Sequence, residues 1–236
     1  MNTHQNELGQ PIGASVPDWR PNDWPKSEIK DGRYCQVVPL DIDAHAEDLF
    51  ESYAQDIEGR NWTYLPYGPF VQLDYFIAWM RSSCTKDDPF FHAIIDKATG
   101  KAVGVASFLR ITPDAGSIEV GHIHFSPLLQ RKPLASEAMF LMMRHVFDDL
   151  NYRRYEWKCD SRNAPSCKAA RRFGFTPEGV FRQAAIVKGR NRDTAWFSII
   201  DSEWPAIKLA YETWLSVDNF DENGVQKQKL SDLMPS

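Results

Sequence analysis

The sequence predicts a mixed α/β domain, one sheet flanked by helices, and three observations support this prediction. Strand-like segments and segments with helical spacing are mixed along the chain and do not follow one another in a regular βαβ order. Short turns at 97–101 and 112–116 join three strand-like segments as in an antiparallel meander. A long helical segment separates the third of these strands from the next, which allows that pair to be parallel.

The 236 residues fit one domain of ordinary size with extra segments at both ends, and two small domains are the alternative. Four prolines between positions 11 and 25 exclude a long helix, so residues 1–32 predict an extended proline-rich arm held by Trp19 and Trp24. The polar segment 217–236 predicts a flexible C-terminal tail. The domain itself is therefore expected at 33–216.

The first half of the domain predicts two helices and four strands. A helix at 43–55, with Asp43 as its cap, and a second at 71–81 each place apolar residues on one face. The strands are expected at 34–38, 90–95, 102–111 and 117–125.

The second half begins with the strongest helical pattern, at 134–150, where apolar residues form one stripe. A short helix at 166–173 ends before Gly174, because glycine adopts the left-handed conformation that follows many helices. The last helix is expected at 203–216, with Pro205 in its first turn. Strands are expected at 155–159, 179–187 and 194–200.

Composition restricts the function classes. With 27 basic and 32 acidic residues, the net charge of −5 argues against a nucleic acid or an anionic membrane as a general partner. Four cysteines without a CxxC pair indicate free thiols in a reducing compartment. The absence of a cationic, apolar N-terminal segment and of an apolar run of about 18 residues predicts a cytoplasmic protein without a membrane span.

The segment between the strand at 117–125 and the helix at 134–150 is a candidate anion site. Arg131 and Lys132 precede the helix, whose first backbone N–H groups have no partner within the helix. An ordinary connection with solvated cations is the alternative.

The stretch 118–138, IEVGHIHFSPLLQRKPLASEA, resembles the cofactor-binding segment of the GNAT (general N-acetyltransferase) superfamily, in its RimJ/RimL-like ribosomal-protein N-acetyltransferase branch. Further similar motifs follow in the same order: Asn163 with Ser166, then ARRFGF at 170–175, EGVFR at 178–182 and KGRNRDT at 188–194. WTYLPYGPF at 62–70 is also similar to that branch, so the resemblance covers about residues 33–216.

The resemblance implies acetyl-CoA as co-substrate, bound without a metal in the gap between two splayed parallel strands, 119–125 and 155–160. Its pantetheine arm would pair there with strand backbone at Ile123 and Phe125, and Asn163 either caps the next helix or contacts this arm. Proline replaces the glycine expected in the family's pyrophosphate loop. That loop corresponds to Gln130, Arg131, Lys132, Pro133, Leu134 and Ala135.

Acyl transfer to an amine requires the neutral amine, so a proton acceptor is expected. Glu119 is the first candidate, directly or through water, against the alternative of a solvated glutamate. His122 and His124 are wall residues, proton relays or metal ligands; no further ligands follow at zinc spacing, so no metal is predicted. Many members of the superfamily have a tyrosine on the helix after the splayed strands to protonate the leaving thiolate. This sequence has none between 161 and 174, and the resemblance implies Ser166, which matches the branch's serine, as the substitute, directly or through water.

Aromatic residues at 62–79 either pack on the sheet or close the acceptor site. Trp62, Tyr64 and Tyr67 are the candidates for a lip over the amine. The sequence thus predicts an acetyl-CoA-dependent N-acetyltransferase acting on a protein N-terminus or a small-molecule amine by direct attack in a ternary complex. The alternative is a non-catalytic acyl-CoA-binding module, and homodimers are common in the branch that it resembles.

Overall fold

The computed structural model describes residues 4–235, which are built around an eight-stranded sheet. A small hairpin, β1 (His4–Gln5) and β2 (Pro11–Ile12), precedes it. The sheet consists of β3 (Lys30–Asp31), β4 (Cys35–Pro39), β5 (Phe90–Asp96), β6 (Lys101–Thr112), β7 (Ser117–Phe125), β8 (Arg154–Asp160), β9 (Thr176–Val187) and β10 (Arg190–Ile200). Their order is β3-β4-β5-β6-β7-β8-β10-β9; β7 and β8 pair in parallel and the other neighbours are antiparallel.

Five of the helices lie where hydrophobic spacing predicts them, and the short last one falls in the segment for which the sequence predicts a flexible tail. They are α1 (Ile42–Tyr53), α2 (Leu73–Ser83), α3 (Pro133–Arg144), α4 (Ala164–Arg172), α5 (Trp204–Leu215) and α6 (Leu230–Leu233). Two details differ from the prediction. Asp41, not Asp43, caps α1, because its carboxylate accepts the N–H groups of Asp43 and Ala44. The predicted helix 134–150 is α-helical only to Arg144 and continues as a π-helical turn, His145–Asp149. The mixed sheet with flanking helices is confirmed.

The two faces of the sheet carry separate apolar cores. One core joins α3 and α5 to the sheet through residues such as Met142, Tyr155 and Phe197. The other joins α1 and α2 to β5 and β6 through Leu49 and Phe76, among others. Side chains alternate between the two faces of a strand. Every second residue of β7 and β8 therefore points away from the first core, toward the opposite face of the sheet.

The terminal segments are attached to the domain. The Trp19 indole donates to the carbonyl of Asp114, and the Tyr152 hydroxyl donates to the carbonyl of Asp23. The sequence predicts a flexible tail, yet within its described part Leu230 is 1% exposed and packs in the first core. The division of the chain at 33 and 216 stays a prediction. No helix among residues 4–235 is both long and apolar enough to cross a membrane.

Two buried histidines, His92 and His124, and the half-buried His122 predict that acid destabilises the fold. Burial lowers the pKa of His92 and of His124 to about 3, and that of His122 to about 4. The unfolded chain therefore binds a proton at each site near pH 6.5, whereas the folded chain does not. The free energy of unfolding is therefore highest above pH 6.5. It decreases as the pH is lowered, by about 2 kcal/mol per histidine between pH 7 and pH 5.

Urea unfolding at the two pH values measures this loss. His92→Phe is expected to lose less stability between pH 7 and pH 5 than the wild type, whereas the exposed-site control His4→Gln loses as much. Equal losses in all three proteins would contradict the prediction.

Candidate active site

The parallel strands β7 and β8 separate halfway along their length. They pair from Ser117 with Arg154 to Val120 with Trp157, and the remaining residues of both strands leave the ladder. A bulge in β7 lies just beyond this point, where Gly121 pairs with Ser107 but His124 pairs with Val105. Two residues, His122 and Ile123, thus oppose one on β6, and His122 has a φ of +49°. A bulge bends a strand and leaves backbone groups unpaired, which accounts for the gap.

An open cleft of about 240 Å³ extends from this gap toward the segment that precedes α2. Six of the residues that the sequence singled out line it: Tyr64, Glu119, His122, Ile123, Asn163 and Ser166. The cleft therefore brings together the predicted acid–base residues and the end of the splayed strands.

Glu119 is a buried carboxylate between two cations. Its Oε1 lies 3.1 Å from Nη1 of Arg110, and its Oε2 lies 2.9 Å from Nζ of Lys158. Burial raises its pKa above the usual glutamate value, although both cations act in the opposite direction. A carboxylate with a raised pKa accepts a proton more readily, so this environment suits a general base.

His122 borders the cleft as a neutral ring. Its Nδ1 lies 3.1 Å from the Tyr67 hydroxyl, and burial together with Arg110 keeps its pKa near 4. His124 instead stacks on Tyr53 at 3.8 Å, as a wall residue does. Within residues 4–235, no group of three or more His, Cys, Asp or Glu side chains is arranged to hold a metal ion.

The start of α4 carries the predicted proton donor. Asn163 caps the helix, since its Oδ1 accepts the N–H of Ser166 at 3.2 Å. The Trp157 indole donates to the Ser166 hydroxyl oxygen at 3.1 Å, which leaves the hydroxyl hydrogen available. Burial raises the pKa of the Cys159 thiol to about 12, and its Sγ lies 3.5 Å from that of Cys167. Cys159 is therefore not a thiolate nucleophile at neutral pH.

The loop before α3 has the form of an anion site. Pro133 is the first residue of the helix and Lys132 its N-cap residue; Arg131 precedes it with a φ of +61°, and both cations are exposed. The side chains of Leu134 and Ala135 are buried, so only their backbone can face a ligand.

Gln130 and Phe125 hold this loop to β7. The Gln130 amide donates to the Phe125 carbonyl at 2.7 Å and to Asn61 Oδ1 at 3.1 Å. Gln130 thus fixes the loop in place, and its side chain is already engaged.

The aromatic segment 62–79 reaches over the cleft with Tyr64, and not with Trp62 as the lip prediction also required. The Trp62 ring is 5% exposed and packs in the second core, so it forms no lip. Tyr64 does reach across the cleft, because its hydroxyl donates to the Arg162 carbonyl at 3.0 Å. Lys188, on the β9–β10 turn, donates to the Trp62 carbonyl at 2.9 Å. Tyr67 is connected to the cleft by its hydroxyl, which lies 3.1 Å from Nδ1 of His122.

Three cations in the cleft have no counterpart in the sequence prediction. Arg110, Lys158 and Arg192 line it from β6, β8 and β10. They stand far apart in the chain, and of the three only Arg192 lies in a motif, KGRNRDT at 188–194, so the sheet order is what brings them together.

The geometry fits acetyl-CoA. The divergent strands offer backbone groups along the gap, the N-terminus of α3 stands beside two exposed cations, and the Ser166 hydroxyl faces the cleft. A thioester with a pyrophosphate-bearing arm needs these three features.

Comparisons with known proteins agree with this geometry. The crystal structure of a GCN5-related N-acetyltransferase from Brucella melitensis superimposes with a TM-score of 0.90 at 47% identity, over 92% of this chain and 99% of that one. The N-acetyltransferase p20 of Bacillus licheniformis is 32% identical over 48% of this chain and 62% of its own. The ribosomal-protein-serine acetyltransferase of Escherichia coli is 31% identical over 43% and 56%. The matches to these last two proteins span less than two thirds of their length.

The family described as the acetyltransferase (GNAT) domain matches residues 36–176, which is more than half of the chain. The matched range includes β7, β8 and the start of α4, and thus the whole gap. The resemblance found in the sequence is confirmed, and the chain belongs to the GNAT family of acetyltransferases.

Proposed function

We propose that the protein transfers the acetyl group of acetyl-CoA to a primary amine by direct attack in a ternary complex. The observation that carries this proposal is the bulged, splayed β7–β8 gap with a buried carboxylate at its edge. Bound acetyl-CoA would supply an activated acyl group as a thioester. The N-terminus of α3, Arg131 and Lys132 would hold its pyrophosphate.

The chain's own groups divide the remaining work. The backbone N–H of Ile123, in the bulge, would donate to the carbonyl oxygen as negative charge develops on it, a contribution of about 3 kcal/mol in comparable sites. Glu119 accepts the proton of the amine, with the neutral His122 ring beside it. Ser166 hydrogen-bonds to the departing sulfur and relays a proton to it from solvent water, so that the serine hydroxyl is restored in the same step. Cys159 stays protonated, which favours direct transfer over an acyl-enzyme.

The acceptor is a protein α-amine or a small-molecule amine. An α-amine with a pKa near 7.8 needs less help from a base than a lysine-like amine near 10.4. The E. coli relative, named as a ribosomal-protein-serine acetyltransferase, supports a protein N-terminus and a place in the RimJ/RimL-like branch.

A thiol-release assay with acetyl-CoA and an amine panel tests the proposal. Turnover on at least one amine, dependent on acetyl-CoA, is expected. Tight binding of CoA without turnover on any amine would instead indicate the non-catalytic binding module.

Ser166→Ala tests the proton donor. We expect kcat to fall about tenfold, because a thiolate needs only moderate help to leave. The fold should be retained, since it is the backbone N–H of Ser166, and not its hydroxyl, that donates to the capping Oδ1 of Asn163. Steady-state kinetics with Ser161→Ala as the control measure the effect; an unchanged kcat would remove Ser166 from the mechanism.

A further inference from the structure

The cleft has a positive excess although the chain is acidic. Arg110, Lys158 and Arg192 line it, against the carboxylates of Glu119 and Asp160. The chain as a whole carries −5. A cleft of this sign disfavours a cationic acceptor and favours a ligand that brings negative charge.

The three cations differ in how far they are neutralised. Lys158 lies 2.9 Å from Glu119 and 2.7 Å from Glu156, so protein carboxylates already satisfy it. Arg192 forms no salt bridge within the described part of the chain, and its buried Nε has no hydrogen-bond partner there. A buried donor without a partner costs about 1–3 kcal/mol, which a bound acceptor atom would recover.

Arg110 has donors to spare. Its Nη1 contacts Glu119, while 58% of its side chain remains exposed at the cleft. Five N–H groups in a planar fork suit a carboxylate or a phosphate, which can accept two of them together.

The two arginines lie on the two strands that border the β7–β8 pair. Arg110 belongs to β6, the neighbour of β7, and Arg192 belongs to β10, the neighbour of β8, so they flank the gap. The pantetheine arm expected in the gap is uncharged, and the proposed pyrophosphate site lies at α3 beside other cations. Neither arginine is therefore needed for acetyl-CoA.

We infer that the acceptor is an amine that carries its own carboxylate or phosphate, and that Arg192, together with Arg110, binds this anion. The inference rests on the proposed acetyltransferase function and specifies its substrate class. The anion would hold the amine beside Glu119, and its charge would offset the positive excess of the cleft.

Three matched acceptors test this specificity: amines that bear a carboxylate, a phosphate or an uncharged amide at the same position. We expect kcat/KM at least about tenfold higher for one of the anionic members than for the amide. The better anion identifies which of the two groups the site takes. Calorimetric binding of the acetylated products, with CoA present, should show the same order without any turnover.

Arg192→Gln should raise KM for the anionic acceptor about tenfold more than KM for the amide, and should raise KM for acetyl-CoA much less than either. Arg192→Lys, which keeps the charge, should restore part of the preference. Arg81→Gln, which removes an exposed arginine of α2 that does not line the cleft, is the matched control.

Equal kcat/KM on all three acceptors would overturn the inference while leaving the acetyltransferase function intact. A loss in Arg192→Gln that is the same for the amide and the anion would also overturn it. Failure of every amine, anionic or not, would overturn the proposed function and this inference together.

Discussion

Glu119→Gln is expected to lower kcat/KM for the amine about 10²- to 10³-fold, while acetyl-CoA binding is retained. The amide of glutamine occupies the same space but cannot accept the proton, and general-base catalysis is typically worth that much. Because burial raises the pKa of Glu119, the wild-type rate should increase with pH through a value above the ordinary glutamate range. Steady-state kinetics and a pH–rate profile measure both effects.

The fold should survive this change, because Lys158 keeps its ion pair with Glu156 at 2.7 Å. Arg110 is half exposed, so water can solvate its guanidinium in place of Glu119. Glu156→Gln is the matched control: it removes a carboxylate from the same Lys158 but does not line the cleft. If both variants lost activity equally, the ion pairs and not proton transfer would explain the effect. Unchanged activity in Glu119→Gln would exclude Glu119 as the base.

Glu137→Ala is expected to lower the free energy of unfolding by about 3–5 kcal/mol. The buried carboxylate of Glu137 on α3 accepts the backbone N–H groups of Arg33 at 2.7 Å, Tyr34 at 2.6 Å and Cys35 at 2.9 Å. Its removal leaves three donors without an acceptor where β4 begins. Urea denaturation measures the loss.

The control for this variant is Glu47→Ala, an exposed glutamate within α1, which should change stability by less than about 0.5 kcal/mol. A side chain at position 32 should also destabilise the fold, because a Cβ on Gly32 would lie 2.5 Å from Cδ of Glu137. A loss below about 1 kcal/mol in Glu137→Ala would show that water replaces the carboxylate.

The elements of this fold could be predicted because their signals are local. Strand-like runs bounded by turns mark β5, β6 and β7, helical spacing marks α3, and the order of the motifs indicates the family. The cap of α1 was assigned two residues too late, since Asp41 and Asp43 are both good caps and only the backbone conformation separates them.

The site was only partly predictable. Glu119, Asn163 and Ser166 follow from motifs, and the structure places all three at one cleft. The bulge at His122 has no simple sequence signal, because it depends on how β7 pairs with β6. Arg192 reaches the cleft because its strand, β10, pairs with β8, while β9 lies at the edge of the sheet. Trp62 was expected at the surface because it stands beside polar and turn residues, yet its ring fills the second core.

A crystal structure with bound acetyl-CoA tests the central claim most directly. It should show the pantetheine arm between β7 and β8 beyond Val120 and Trp157, with the thioester oxygen about 3 Å from the backbone nitrogen of Ile123. The pyrophosphate should lie at the start of α3. A cofactor bound outside the gap, or a thioester remote from both the bulge and Glu119, would contradict the account.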